Sequence, residues 1–269
     1  MEYNENMVTG LVIPLIAGWV GGWVVNYLAD VLPFTRRFSQ PTCPHCDTTY
    51  PWQDYLTFHA CRSCGKKRRF RTWIVQLFLV AASVYIWISP PGKIGFALGL
   101  LLLLYFSIAF VIDLEHRLIL HPTSIFGALL GLGVGTLHHG LVSTLIGGLA
   151  GFGIMFLFYL FGILFARMRA RRMQAAGQAT DDEEALGMGD VILSTILGLI
   201  LGWPMIWFGL LLGILLGGAI SVLLLLGLFV TGQYKEKAWM VFIPYGPYFI
   251  LSAFLLIYLP TWIKMVVPK

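Results

Sequence analysis

Long apolar runs, separated by short polar or glycine- and proline-containing breaks, dominate the chain. The run 191–230 contains 40 residues and no charged side chain. As a single helix it would be about 60 Å long, roughly twice the hydrocarbon thickness of a membrane. The run therefore has to fold back, and Gly202-Trp203-Pro204 is the stretch where glycine and proline favour a turn.

The same reasoning divides two other runs. Residues 73–112 break at the sequence Ser-Pro-Pro-Gly-Lys that begins at Ser89, and residues 118–165 break near His138-His139-Gly140. Adding the apolar segments 8–28 and 245–262 predicts eight transmembrane helices. We therefore expect an all-α, polytopic membrane protein.

The polar segments suggest a division into three parts. A first transmembrane helix occupies 1–28, a cytoplasmic cysteine-rich loop occupies 29–72, and a seven-helix membrane domain occupies 73–269. The loop is too short to build an ordinary hydrophobic core, so we expect it to need a covalent or metal cross-link.

Composition and charge agree with a membrane protein. Of the 269 residues, 58% are hydrophobic and 12% are charged, whereas a soluble chain carries about 25% charged residues. The acidic N-terminus lacks the basic segment of a secretory signal, so the first helix is predicted to be retained with its N-terminus outside. The predicted inside loops are 29–72, 113–117, 166–190 and 231–243, and they hold 8, 1, 4 and 2 of the 18 Lys and Arg residues, which is 15 in total. This bias fits the positive-inside rule. The +5 net charge therefore reflects membrane topology and attraction to an anionic inner leaflet, and we expect no nucleic acid partner.

All four cysteines lie in the sequence "CPHCDTTYPWQDYLTFHACRSC", which begins at Cys43. Two CxxC pairs 14 residues apart can supply four thiolates to one tetrahedral Zn²⁺, with no open position for a reacting group. We therefore predict a structural zinc site, whose ligands are Cys43, Cys46, Cys61 and Cys64. Disulfides or redox use, and cysteines without metal, are the alternatives. His45 and His59 are interpreted as bystanders.

Two acids are fused directly to apolar helices at the predicted inner face. Asp113 ends one span and Asp190 begins another, whereas Asp30 is interpreted as capping the first span beside the charged loop. Two carboxylates that share a site titrate as a pair, and such a pair can perform aspartic proteolysis. Gly187 and Gly189 would then let a substrate backbone approach Asp190.

Other interpretations of these acids remain open. The helix dipole favours an acid at a helix N-terminus, which is a sufficient reason for Asp190 but not for Asp113. Glu115, His116 and Arg117 can be an ordinary interfacial cluster. A proton- or cation-coupled transporter could use the same acids as a relay, although transporters are expected to carry ionisable residues at mid-span.

Four stretches in order along the chain resemble the prepilin leader peptidases, a GxGD-type aspartic membrane protease family. From the N-terminus, they are the paired CxxC loop, "FVIDLEHRLIL", "GMGDVILSTILGLILGW" and "IPYGPYFILSAFL", the last of which contains Pro244, Tyr245, Gly246 and Pro247. The resemblance implies that Asp113 and Asp190 are the catalytic pair and that Gly187 and Gly189 form a flexible approach. It implies cleavage of the leaders of prepilins and pilin-like secretion proteins at the cytoplasmic face of the bacterial inner membrane. Many bacterial members also methylate the new N-terminus with S-adenosylmethionine.

The chain departs from the family pattern at several positions. Leu120-His121-Pro122 stands where Ile-Pro-Asp is usual, and Ile192 stands where a polar residue is common. These changes leave the acid pair intact. The short spacing between the cysteine pairs, and Gln76 in place of a glutamate, fall in the part associated with methyl transfer. They leave open whether this chain retains that second activity and its S-adenosylmethionine.

Overall fold

The architecture comes from a computed structural model that describes residues 2–175, 187–231 and 245–259. Within these residues the chain is helical, with no strand. The helices are α1 Glu2–Thr35, α2 Trp52–Leu56, α3 Phe70–Ile88, α4 Gly95–His116, α5 His121–His139, α6 Leu141–Ala175, α7 Met188–Leu201, α8 Met205–Val230 and α9 Gly246–Tyr258, and a 3₁₀ turn, Gly92–Ile94, precedes α4. Pro244, most of the predicted inside loop 231–243 and the end of the predicted last span lie outside the described residues.

The helices break where the apolar runs were predicted to turn. One helix ends at Ile88 before the proline pair, one ends at His139 before Gly140, and one ends at Leu201 before Gly202. Five helical segments are long and apolar enough to cross a membrane: Gly10–Thr35, Phe70–Ile88, Gly92–His116, Leu141–Arg171 and Met205–Val230. The all-α membrane architecture is therefore confirmed, but the count of eight spans is not.

Two of the remaining helices are apolar but short. At 1.5 Å per residue, the 14 residues of α7 and the 13 residues of α9 are each about 20 Å long. The hydrocarbon core of a membrane is about 30 Å thick, so neither helix meets the length expected of a span. This shortfall accounts for two of the three predicted spans that are not found among the described residues, and the third, α5, has 19 residues but is not among the segments apolar enough to span.

The chain forms two compact units, Met1–Thr123 and Ser124–Lys269. In the first unit, α1 packs closely on α3 because glycines remove side chains from the contact. A Cβ added at Gly18 would lie 2.7 Å from the Leu79 carbonyl oxygen, and one at Gly22 would lie 2.4 Å from the Gln76 amide. Gln76 is fully buried, and its Nε2 donates to the carbonyl oxygen of Trp19 at 2.6 Å. Small residues and such interhelical hydrogen bonds are the usual basis of helix packing in membranes.

In the second unit, α6 and α7 approach each other closely through the same device. A Cβ added at Gly198 would lie 2.2 Å from the Gly147 carbonyl oxygen, and one at Gly151 would lie 2.3 Å from the carbonyl oxygen of Ser194. Backbone contact at this distance leaves no room for any side chain. This packing holds α7 against α6 from Ser194 to Gly198.

Candidate active site and metal centre

The two CxxC pairs form turns of the same backbone shape. The N–H of the residue after each pair, Asp47 or Gly65, donates to the carbonyl oxygen of Cys43 or Cys61, at 2.9 and 2.8 Å. Both of these residues have positive φ, 54° and 67°. In each turn the N–H of the first cysteine also donates to the carbonyl five residues later, at 2.9 and 3.0 Å. Each pair is thus a preformed knuckle whose two sulfurs point to one side.

The four sulfurs meet in a geometry that fits zinc. The Sγ atoms of Cys43 and Cys64 are 3.7 Å apart, those of Cys46 and Cys61 are 3.6 Å apart, and all four lie within 4.8 Å of one another. Zinc–sulfur bonds of about 2.3 Å in a tetrahedron require sulfur–sulfur distances of about 3.8 Å. The cluster can therefore hold one metal ion, and no histidine belongs to it among the described residues.

The backbone prepares one of these thiols for a metal. Hydrogen bonds from the backbone N–H groups of Cys64 and Ser63 lower the pKa of the Cys61 thiol to about 6. A thiol with this pKa is mostly thiolate at neutral pH, which is the form that binds zinc. Cys43 and Cys61 are buried against Tyr50 and Tyr55, so the metal site is also the core of the loop.

Asp30 does more than cap the first helix. Its Oδ2 accepts hydrogen bonds from the Tyr55 hydroxyl at 2.7 Å and from Arg68 Nη2 at 3.0 Å, and its Oδ1 accepts one from Arg71 Nη2. Arg71 Nη1 also donates to Glu115 Oε2 at 2.9 Å. The network ties the ends of α1, α3 and α4 to the cysteine loop. The run of basic residues before α3 was the sequence signal, but it does not show which acids they meet.

Asp113 lies in the last turns of α4 and is 5% exposed. The helix ends at a left-handed residue, Arg117, whose N–H donates to the Asp113 carbonyl oxygen at 2.9 Å. A negative charge near a helix C-terminus is opposed by the helix dipole. A buried acid at this position is therefore not explained by helix stability.

Asp190 lies in the first turn of α7, where it is partly buried, and its N–H donates to the carbonyl oxygen of Gly187 at 3.0 Å. Gly187 is exposed and has φ −83° and ψ 150°, values that any residue adopts. A Cβ added there would meet only the Gly189 nitrogen, at 3.9 Å. Neither packing nor backbone conformation therefore requires a glycine at position 187.

The second unit contains glycines in open space and glycines in tight helix contacts, and an experiment can distinguish the two kinds. Gly187→Ala is expected to cost at most about 1 kcal/mol of stability, because the added methyl enters open space and only the preference for glycine over alanine at the N-cap of α7 is lost. If Gly187 serves substrate approach, the same variant loses peptidase activity at least about tenfold. Thermal unfolding and cleavage rates measured on the same preparation check both halves.

Gly198→Ala is the matched control for this test. Its methyl would overlap the Gly147 carbonyl oxygen, so unfolding is expected at a clearly lower temperature. A Gly187→Ala variant that is as active as the wild type would refute the approach role. One that unfolds as early as Gly198→Ala would refute the open-space argument.

Comparison with known proteins finds one similar family. Residues 100–222, just under half of the chain, match the model of the type IV leader peptidase family. This part of the chain is therefore similar to the leader peptidases. No curated protein and no solved structure matches the chain.

The matched residues contain Asp113 and Asp190 and both glycines of the Gly-x-Gly-Asp motif. Asp113 lies in the first compact unit, and Asp190, Gly187 and Gly189 lie in the second. The cysteine cluster precedes the matched region. The resemblance expressed by the motifs is therefore confirmed at the level of the family.

Proposed function

We propose that this protein is a membrane aspartic endopeptidase that removes the leader peptides of type IV prepilins and pilin-like secretion proteins. Asp113 and Asp190 are its catalytic pair, and Gly187 and Gly189 form the substrate approach. Cleavage takes place at the cytoplasmic face of the bacterial inner membrane, on the side that carries most of the basic residues.

The observation that carries the proposal is that both acids lie at ends of apolar helices within the family match. Acids are rare next to such helices because burying a charge is costly. The buried Asp113 opposes its own helix dipole, which supports a role in chemistry over one in stability.

The two carboxyl groups would have different roles in peptide hydrolysis. The ionised group takes a proton from water as the water oxygen attacks the scissile carbonyl carbon, and the protonated group donates its proton to the carbonyl oxygen. When the carbon–nitrogen bond breaks, a proton passes to the leaving amine and the pair returns to one shared proton. The cysteine-bound metal takes no part, because four thiolates leave no open position on zinc.

N-methylation with S-adenosylmethionine is not part of the proposal. The sequence linked that activity to the position of Gln76, and this side chain is fully buried between α1 and α3. Its amide donates to the Trp19 carbonyl oxygen and packs against Gly22. Gln76 is therefore used in helix packing.

Mass spectrometry of a pilin-like substrate tests the proposed function. We expect the purified full-length protein, reconstituted in liposomes, to release the basic leader as one fragment and leave one new N-terminus. The mass of the mature product also shows whether a methyl group is added when S-adenosylmethionine is supplied. An unchanged substrate mass with folded, zinc-loaded protein would contradict the proposal. Ion flux that depends on Asp190, with no cleavage, would favour the transporter.

A further inference from the structure

A cavity of about 230 Å³ with many charged side chains in its wall lies in the first compact unit. The C-terminal ends of α1 and α4, the N-terminal end of α3 and the cysteine loop form its walls. Charged and titratable side chains line it, and they are Asp30, Cys43, His45, Asp47, Tyr50, Tyr55, Lys67, Arg68, Arg69, Arg71, Glu115 and His116. The proposed peptidase chemistry uses none of them.

Arg68 lies in the wall of the cavity, and one nitrogen of its guanidinium group lacks a hydrogen-bond partner in the protein. Its side chain is 7% exposed, and the guanidinium lies over the Tyr55 ring at 4.0 Å from the centroid. Its Nη2 donates to Asp30, whereas its Nη1 is buried and has no hydrogen-bond partner in the protein. The stacking and the ion pair fix the orientation of this nitrogen.

Arg71, which also bonds to Asp30, likewise has one nitrogen without a hydrogen-bond partner. Its two terminal nitrogens donate to Asp30 and Glu115, and its side chain is 16% exposed. Its Nε is buried and has no hydrogen-bond partner in the protein. Arg68 and Arg71 therefore each retain one N–H donor that is not bonded to the acids of the network.

The unsatisfied groups of the lining are all of one kind. Among the described residues that line the cavity, the buried side-chain atoms without a hydrogen-bond partner are donors, Arg68 Nη1 and Arg71 Nε. A buried unpaired donor costs about 1–3 kcal/mol, and more on a charged group. The cavity is thus complementary to a ligand that offers several acceptors and negative charge.

The position of the cavity narrows the class of ligand. It lies at one end of three candidate spans, Gly10–Thr35, Phe70–Ile88 and Gly92–His116. The ends of membrane helices lie at the depth of lipid headgroups, whose common anion is a phosphate. A phosphate has enough oxygens to accept from two guanidinium groups at once, and arginine is the residue that binds it in this way.

We infer that this cavity is a phosphate-binding site in which Arg68 Nη1 and Arg71 Nε donate to the phosphate oxygens. The phosphate belongs either to an anionic lipid headgroup or to a soluble phosphate compound. Neither Asp113 nor Asp190 is among the residues that line the cavity, so the inference does not depend on the proposed peptidase mechanism.

Native mass spectrometry of the purified full-length protein tests this site. The protein is titrated in detergent with dioctanoyl phosphatidylglycerol, with dioctanoylglycerol and with inorganic phosphate. We expect the phosphate-bearing lipid, inorganic phosphate or both to bind at least about tenfold more tightly than dioctanoylglycerol, which has the same chains without the phosphate. Preference for the lipid identifies a headgroup site, and preference for inorganic phosphate identifies a soluble ligand.

Conservative variants connect the binding to the two arginines. Arg68→Lys and Arg71→Lys keep the charge that faces Asp30 but remove the second donor, so each is expected to weaken binding about tenfold. Arg62→Lys is the matched control, because this exposed arginine pairs with Asp54 and does not line the cavity. Zinc content and melting temperature report whether each variant is folded. The inference is wrong if no phosphate compound binds better than dioctanoylglycerol, or if folded Arg68→Lys and Arg71→Lys bind as the Arg62→Lys control does.

Discussion

Replacing either Asp113 or Asp190 by asparagine is expected to lower the rate of leader removal at least about 10³-fold. Asparagine keeps the shape of the side chain but can neither take a proton from water nor give one to the carbonyl oxygen, and each such transfer contributes about 10²–10⁴-fold. Since the two carboxyl groups act as a unit, the double variant should be no worse than either single variant. Cleavage rates of a pilin-like substrate in proteoliposomes provide the measurement.

Neither variant should lose much stability. Asp113 lies near the C-terminal end of α4, where the helix dipole opposes a negative charge, so Asp113→Asn is expected to be slightly more stable. Asp190 is partly buried in the first turn of α7, where burial disfavours the charge and the helix dipole favours it, so Asp190→Asn should change the stability by less than about 1 kcal/mol. Loss of activity without a fall in melting temperature would separate a catalytic role from a structural one.

Asp54→Asn is the matched control for both variants. Asp54 pairs with Arg62, whose side chain is 71% exposed, so solvent screens this ion pair and its loss should have little effect on stability. We expect Asp54→Asn to cleave the substrate at the wild-type rate. If Asp113→Asn or Asp190→Asn retains more than about a tenth of the wild-type rate, the paired-carboxylate mechanism is wrong.

Removing the metal should unfold the cysteine loop while leaving the membrane helices in place. We expect about one zinc per chain in the purified protein and almost none in Cys43→Ser, because a hydroxyl is a poor substitute for a buried thiolate. Binding of a structural zinc contributes about 10–16 kcal/mol in small zinc-dependent folds, which is more than a loop of this size can replace. Elemental analysis and limited trypsin digestion within 36–71, where the loop carries its basic residues, provide the two measurements.

His59→Ala is the control for the metal site. His59 is exposed, its Nδ1 bonds to Thr57 Oγ1, and it does not belong to the sulfur cluster. Its zinc content and digestion pattern should match those of the wild type. A Cys43→Ser protein that keeps one zinc per chain, or a wild-type protein that contains none, would refute the four-sulfur site.

The local features of this protein were predictable from neighbouring residues. The breaks after Ile88, His139 and Leu201 follow from the length of the apolar runs and from nearby glycine and proline, which act within a few residues. The cysteine pairs were predictable for the same reason, since the knuckle that each CxxC forms closes through its own backbone hydrogen bonds. The motifs around the two acids also sufficed to indicate the family, which the match to residues 100–222 confirmed.

The number of spans was less predictable than the breaks, because a break shows where a helix ends but not whether that helix is long enough to cross a membrane. The break at Gly202, which has φ +69°, leaves α7 with only 14 residues. Such a helix is shorter than a hydrocarbon core. For α7, the difference between predicted and observed spans therefore comes from helix length and not from the position of the turn.

The sequence by itself determined the helical class, the positions of the breaks, the metal-binding pattern and the acids at the helix ends. Only the tertiary structure decided that Asp30 meets Arg68 and Arg71, that Arg71 also meets Glu115, and that Gln76 is a packing residue. These partners are 38 to 57 residues apart in the chain. Backbone preferences and hydrophobic length act over a few neighbouring residues, whereas the pairing of distant charges depends on which helix faces pack together. That pairing created the donor-lined cavity, which no local pattern in the sequence reveals.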